Sequence, residues 1–261
     1  MIEQNKIYNF DAITFLEQVY EEFGDESIDM FLVDFPYTFR GKNRVTANKW
    51  DLPVDTDRFF ELATKLLTKT GVIALTATNP FASYLVTNHL NWFKYEWIWE
   101  KDNGSNFTHV KYQPFKVHEQ VLIFGKSATT YTKKGTNMKY NPQYLEGKPY
   151  KVNRSGMTSN LATSDGYERT SGVYEGRRYP RSVQKFNIEK GLHPTQKPVS
   201  LFEFLIKTYT DDNGIVIDCC AGSGTTGISA MNTGRRFILN DNDPKSISTM
   251  ERRVRSKEDI H

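Results

Sequence analysis

Cysteine is nearly missing from this 261-residue chain, which has only the adjacent pair Cys219 and Cys220. Neighbouring thiols give neither a disulfide framework nor paired metal-ligand spacing, so a reducing, cytoplasmic setting is expected. Long apolar runs are missing too. None approaches the roughly 20 residues that a membrane span requires, and no membrane partner is expected. The polar opening Met1-Ile2-Glu3-Gln4-Asn5-Lys6 has no apolar segment of the secretory type. His89, His109, His118 and His261 share no ligand spacing, which leaves no metal site in view. The one glycine-rich stretch is not followed by Gly-Lys-Ser/Thr, which disfavours a Walker phosphate loop. Internal repeats are also missing.

Charge of either sign is balanced over the whole chain, with 34 basic and 31 acidic residues and a net charge of +3. Its distribution is not balanced. Residues 127–192 hold 12 Lys and Arg against 5 Asp and Glu, and seven of the fourteen tyrosines: Tyr131, Tyr140, Tyr144, Tyr150, Tyr167, Tyr174 and Tyr179. Basic charge interleaved with aromatic rings suits a phosphate backbone and unstacked bases, although a solvated loop region would have the same composition.

The first 125 residues alternate short apolar runs with amphipathic stretches. Ile28–Val33 reads as a buried strand ending at Asp34, and residues 72–76, 95–99 and 120–124 are further strands. Residues 57–69 place Phe59, Phe60, Leu62, Ala63, Leu66 and Leu67 at helical spacing, with Gly71 as the stop. Residues from about 127 to 191 show little periodicity and read as an insertion or small subdomain. The pattern then resumes with a helix over 198–209 (Val199, Leu201, Phe202, Leu205 and Ile206 inward). A strand over 215–217 ending at Asp218 follows, then a glycine-rich loop, a helix near 226–232 and a strand over 236–239. Helices between strands imply crossover connections, hence an α/β class with a doubly wound, mostly parallel sheet.

Two strand ends carry the chemistry. The second in the chain is Asp218-Cys219-Cys220-Ala221-Gly222-Ser223-Gly224-Thr225-Thr226-Gly227. A buried strand there runs into glycines, which let the backbone approach a ligand, and then into a helix N-terminus with unpaired N–H groups. Asp241 closes the next strand, where an acidic residue holds ribose hydroxyls in Rossmann-type sites. The first end is Asp34-Phe35-Pro36-Tyr37, where a strand delivers a carboxylate, a stiffened turn and an aromatic ring. Taken singly, each end is also explained by an ordinary turn.

Other segments accompany these two: Asn9-Phe10-Asp11, Lys49-Trp50-Asp51, Trp97-Ile98-Trp99-Glu100-Lys101, His118-Glu119-Gln120-Val121-Leu122-Ile123-Phe124 and His193-Pro194-Thr195-Gln196-Lys197-Pro198. Together, and in this order, they resemble the β-class amino-methyltransferases of DNA. That family puts an Asp-Pro-Pro-Tyr-type motif first, a target-recognition region second and the cofactor loop last. The resemblance covers roughly residues 5–125 and 190–250. Phe35 stands where the family usually has its first proline, and Asp218-Cys219-Cys220 where it usually has Asp-Pro-Phe.

The resemblance implies a Rossmann-like methyltransferase fold in permuted order. Residues 1–126 would form the catalytic half, 127–191 an inserted target-recognition region and 192–261 the cofactor-binding half. It implies transfer of a methyl group from S-adenosylmethionine to adenine N6 in double-stranded DNA, site-specifically and with base flipping. Cytosine N4 is the alternative, and a catalytically inactive DNA-binding relative a further one. Asp34, Phe35, Pro36 and Tyr37 would be catalytic. The exocyclic amine is a poor nucleophile, because its lone pair is delocalised into the ring. Asp34 and the Phe35 carbonyl would draw its hydrogens into line while Tyr37 stacks on the extruded base. Asp11, His193, Thr195, Lys197, Asp218, Ala221, Gly222, Ser223, Gly224, Thr225 and Asp241 would hold the cofactor. Lys133, Lys134, Arg177, Arg178 and Arg181 are the DNA-contact candidates. The cysteines pack as small apolar groups with no catalytic role. The chain would be a monomer or homodimer, with a cognate restriction endonuclease as a candidate partner.

Overall fold

The computed structural model describes residues 1–38, 53–104, 106–130, 135–152, 172–189, 191 and 196–258. In chain order the strands and helices are β1 (Lys6–Tyr8), α1 (Ala12–Phe23), β2 (Ile28–Val33), α2 (Thr56–Leu66), β3 (Leu67–Ala77), α3 (Phe81–Asn88), β4 (Phe93–Glu100) and β5 (His118–Phe124). Then follow β6 (Leu145–Glu146), β7 (Tyr150–Val152), β8 (Gly172–Tyr174), β9 (Arg177–Arg178) and β10 (Val183–Lys185). The last are α4 (Val199–Tyr209), β11 (Ile215–Asp218), α5 (Thr225–Asn232), β12 (Arg236–Asn240) and α6 (Pro244–Glu258). No helix among the described residues is long and apolar enough to cross a membrane.

Among the described residues, eight strands form one sheet in the order β1-β12-β11-β2-β3-β5-β4-β10. The five from β1 to β3 are mutually parallel, β5 runs against both β3 and β4, and β10 is parallel to β4. β2 shows why the centre is buried on both faces. Its side chains alternate, so Phe31 and Val33 pack with α1, α2 and α3, whereas Met30 and Leu32 pack with α4, α5 and α6. Helices on both faces make this the doubly wound α/β arrangement.

One boundary differs from the sequence reading. The α2 pattern runs on to Lys69 in sequence, but the helix ends at Leu66 and β3 begins at Leu67. Leu67 is fully buried and pairs with Ile28, while Val72 pairs with Met30, so β3 bulges between them. Burial of Leu67 against the sheet overrides its helical spacing. The described residues of 127–191 contribute two small antiparallel ribbons, β6 with β9 and β7 with β8, and the edge strand β10 of the main sheet.

Candidate active site

β11 and β2 are adjacent parallel strands, with Val216 beside Met30 and Ile217 beside Phe31. From β11 the chain crosses through α5 to β12 on one side, and from β2 through α2 to β3 on the other. The strand order therefore reverses between them, where a crevice opens beyond the carboxyl ends of an α/β sheet. A cavity of about 570 Å³ lies there. Asp34, Phe35 and Pro36 line it from one strand end, and Asp218, Ala221, Gly222, Ser223 and Thr225 from the other. Asp11, Lys197 and Asp241 complete that wall. The two ends that sequence separates share one hollow.

Asp34 emerges from β2 into a cluster of charges. Its Oδ2 accepts from Lys197 Nζ at 2.6 Å; its Oδ1 accepts from the Tyr37 hydroxyl at 3.1 Å and from Thr76 Oγ1 on β3. Glu119, on β5, lies 3.5 Å from Lys197 Nζ and takes a further hydrogen bond from Lys101. The Tyr37 hydroxyl is 3.4 Å from the same Glu119 carboxylate. Two partly buried acids thus face two lysines, Lys197 buried and Lys101 nearly so. Burial pushes the Lys197 pKa down, but Asp34 and Glu119 outweigh it and hold it above the usual lysine value. Burial likewise pushes Glu119 up, and Lys197 with Lys101 carries it below the usual carboxylate value. Burial and the two acids raise the Tyr37 phenol well above its ordinary value, so it stays protonated as a donor. The Tyr37 ring stacks on Phe81, with centroids 5.7 Å apart. Phe35 turns its side chain into the core, edge-on to Phe59 at 4.9 Å.

The glycine loop is fixed from below and from the side. Asp218 accepts from Cys220 N at 3.0 Å and Thr226 Oγ1 at 2.5 Å, tying strand end, loop and helix together. Burial, opposed by these bonds and helped by Asp34 and Asp241, lifts its pKa from 3.8 to about 7. Asp241 accepts from Gly222 N at 2.8 Å. Gly222 and Gly224 both have positive φ, at 53° and 78°. A Cβ on Gly222 would stand in open space, whereas one on Gly224 would meet Met250 Cγ of α6 at 2.7 Å. Gly224 is therefore the packed turn into α5, and Gly222 the half-buried shoulder of the cavity. Asp11 caps α1, accepting from Ile13 N at 2.9 Å. Cys219 is buried in the core, and its contact with Cys220, together with burial, raises the Cys220 thiol well above its usual value. Neither is a poised nucleophile.

His193, Thr195, Lys133, Lys134 and the Lys49-Trp50-Asp51 segment lie outside the described residues. Lys197, expected to close over the cofactor, lines the cavity but gives its ammonium to Asp34 and Glu119. Of the three arginines, Arg178 stacks over Tyr150 at 4.1 Å and donates to Lys148 O at 2.5 Å, which commits it to the ribbons. Arg177 lies over Tyr144 at 5.8 Å, and both Arg177 and Arg181 are exposed.

The sequence reading did not single out several residues that shape this site. Glu119 sits in a quoted motif, but its pairing depends on three other elements. Asn240, fully buried, donates to Cys219 O and Phe10 O at 3.1 Å each and accepts from Phe10 N, clasping the loop to the start of α1. Arg253 of α6 donates to Ser223 O at 2.7 Å. Glu189 accepts from Val199 N at 2.9 Å at the head of α4. Only the motif position of Glu119 was available as a signal.

The model of the N6/N4 DNA methylase family matches residues 28–252. The DNA adenine methyltransferase YhdJ of Escherichia coli (strain K12) is 29% identical over 251 residues, 90% of this chain and 78% of the relative. The type II methyltransferase M1.MboII of Moraxella bovis is 26% identical over 261 residues, 91% of this chain and 92% of the relative. Among solved structures, the M1.HpyAVI–SAM complex superposes with a TM-score of 0.60 at 22% identity, over 95% of this chain and 98% of that one. The cytosine-N4-specific PvuII DNA methyltransferase does so with 0.65 at 16% identity, over 96% and 86%. These structural likenesses establish the fold.

Proposed function

We propose that this chain, which belongs to the N6/N4 DNA methylase family, transfers a methyl group from S-adenosylmethionine to adenine N6 in double-stranded DNA. The observation that carries the reading is the shared cavity, where Asp34 at one strand end faces the Gly222 shoulder at the other. Its volume falls within the roughly 300–1,000 Å³ common to small-molecule sites. Its set of acceptors also fits this cofactor. Asp11 and Asp241 offer carboxylates for cationic and hydroxyl groups, and the Gln196 Oε1 acceptor is buried without a hydrogen-bond partner among the described residues. When bound, the cofactor supplies an electrophilic methyl on a sulfonium centre, which needs no covalent enzyme intermediate.

Asp34 accepts a hydrogen of the target amine. A carboxylate offers about four acceptor sites, and Tyr37, Thr76 and Lys197 occupy three of those on Asp34. These donors hold its plane in one orientation, so the amine meets a preorganised acceptor that needs no rearrangement as the amine becomes cationic. Lys197 stays charged through its second partner Glu119, which keeps the whole cluster balanced.

The acidic start of Asp34-Phe35-Pro36-Tyr37 and the adenine-named relative favour adenine. The PvuII fold neighbour keeps cytosine N4 as the competing reading. The type II relative supports a cognate restriction endonuclease as a partner. The test is transfer of labelled methyl to duplex DNA followed by digestion to nucleosides. N6-methyladenine is expected, N4-methylcytosine overturns the base assignment, and no labelled nucleoside overturns the activity. Asp34→Ala is expected to abolish transfer while the protein still binds S-adenosylmethionine.

A further inference from the structure

The loop between β4 and β5, residues 102–117, carries large apolar groups in water. Phe107 is 78% exposed, Tyr112 87% and Val110 44%. Yet the loop is braced. Asn106 closes it internally, donating to Pro114 O at 2.9 Å and accepting from Lys116 N at 2.7 Å. Phe107–His109 forms a 3₁₀ turn, and the Phe115 ring lies over Gly104. Asp102 accepts from Ile188 N at 2.7 Å, and Lys101 N donates to Val117 O at 2.7 Å, pinning both ends. A braced loop that leaves its aromatic rings outward is holding them for a partner.

Its location and charge name that partner. Lys101 at the end of β4 binds Glu119, and Lys116 donates to Thr78 just beyond β3, so the loop rises from the same sheet edge as Asp34. Lys111, Lys116 and His109 stand against Asp102, the one acidic residue of the segment. The amides Asn103 and Gln113 add hydrogen-bonding groups. Outward aromatics among basic and amide side chains, beside a site that receives an extruded base, match duplex DNA.

We propose that residues 102–117 are a second DNA-contact surface, separate from the basic segment 127–191. Phe107 and Tyr112 pack into the duplex beside the extruded base, and Lys111 meets a phosphate. This rests on the reading of the chain as a DNA methyltransferase. Removing a ring that stacks on a base costs about tenfold to a hundredfold in affinity.

The experiment measures anisotropy of a fluorescein-labelled, mixed-sequence duplex with the wild type and with a Phe107→Ala/Tyr112→Ala variant. Tyr112→Ala alone is the backup, and thermal melting and calorimetric S-adenosylmethionine binding are the checks on folding. The double variant is expected to bind DNA at least about tenfold more weakly with unchanged melting and cofactor affinity. Lys111→Ala should reduce the slope of log affinity against log salt by about one. Leu90→Ala, an exposed apolar control in the turn between α3 and β4, should bind as the wild type does. Unchanged binding by the double variant overturns the inference, as does a change confined to self-association in light scattering. Wild type that methylates DNA while the double variant binds equally sinks this surface alone. Wild type that neither binds nor methylates DNA sinks the enzymatic reading with it.

Discussion

Lys197 and Lys101 are buried ammonium groups held in place by carboxylates, and Glu119 is the acid they share. Glu119→Gln leaves both with less counter-charge in a low-dielectric site. Breaking a buried pair from one side costs about 3–5 kcal/mol. The variant is therefore expected to lose about 3 kcal/mol in urea unfolding, with slower methyl transfer because Lys197 no longer holds Asp34 in register. Unchanged stability would show that the cluster is solvated. Asp218 makes the opposite contribution. Its pKa rises from 3.8 to about 7 on folding, so the folded state binds the extra proton between those values. The stability from this group is complete below about pH 4 and is lost as pH rises through 7. A shift of this size corresponds to on the order of 4 kcal/mol at most. The cofactor-free Asp218→Asn protein should therefore exceed the wild type in stability at pH 8, with the gap closing towards pH 4. Parallel curves across that range would refute the buried-acid account.

The loop between β11 and α5 separates two jobs that one glycine-rich string suggests are one. Gly224→Ala introduces a Cβ at φ 78° against Met250, and strain of that kind costs about 1–3 kcal/mol. It is expected to lower the melting temperature. Gly222→Ala carries the left-handed strain at φ 53° but meets open space at the cavity wall, so beyond a smaller fall in melting temperature its effect should fall on S-adenosylmethionine affinity measured by calorimetry. The reverse pattern would mean that the cofactor does not use the Gly222 shoulder. The arginines of residues 127–191 divide in the same way. Arg178 is committed to Tyr150 and Lys148 O, so Arg178→Ala should loosen the β6–β9 and β7–β8 ribbons, read as faster proteolysis there. Arg181 is exposed, and Arg181→Ala should reduce the salt slope of DNA binding by about one without changing proteolysis. Element boundaries were less legible than element types. Residues 57–69 read as one helix because Leu66 and Leu67 continue its spacing, and only the burial of Leu67 beside Ile28 turns the chain into β3.

For the molecule as a whole, the decisive fact is the reversal of strand order between β11 and β2. Local sequence already contained its parts. Apolar runs ending in Asp34 and Asp218 and glycines ahead of α5 point to a doubly wound sheet with a glycine-rich loop beyond β11, because strand burial and turn chemistry are local properties. Asp34 and Asp241 were legible for that reason, since each directly follows a strand. Glu119, Asn240 and Arg253 were not, because each acts on a segment distant in sequence, and nothing in its own neighbours records the partner. Nor could sequence show that Lys197 would turn to Asp34, that Phe35 would serve the core, or that β10 would join the sheet beside β4. The chain alone determined which chemical groups are present and on which kinds of element. Tertiary packing decided which of them meet, since pairing energies between charges and hydrogen-bonding groups depend on distances that arise only when the sheet closes.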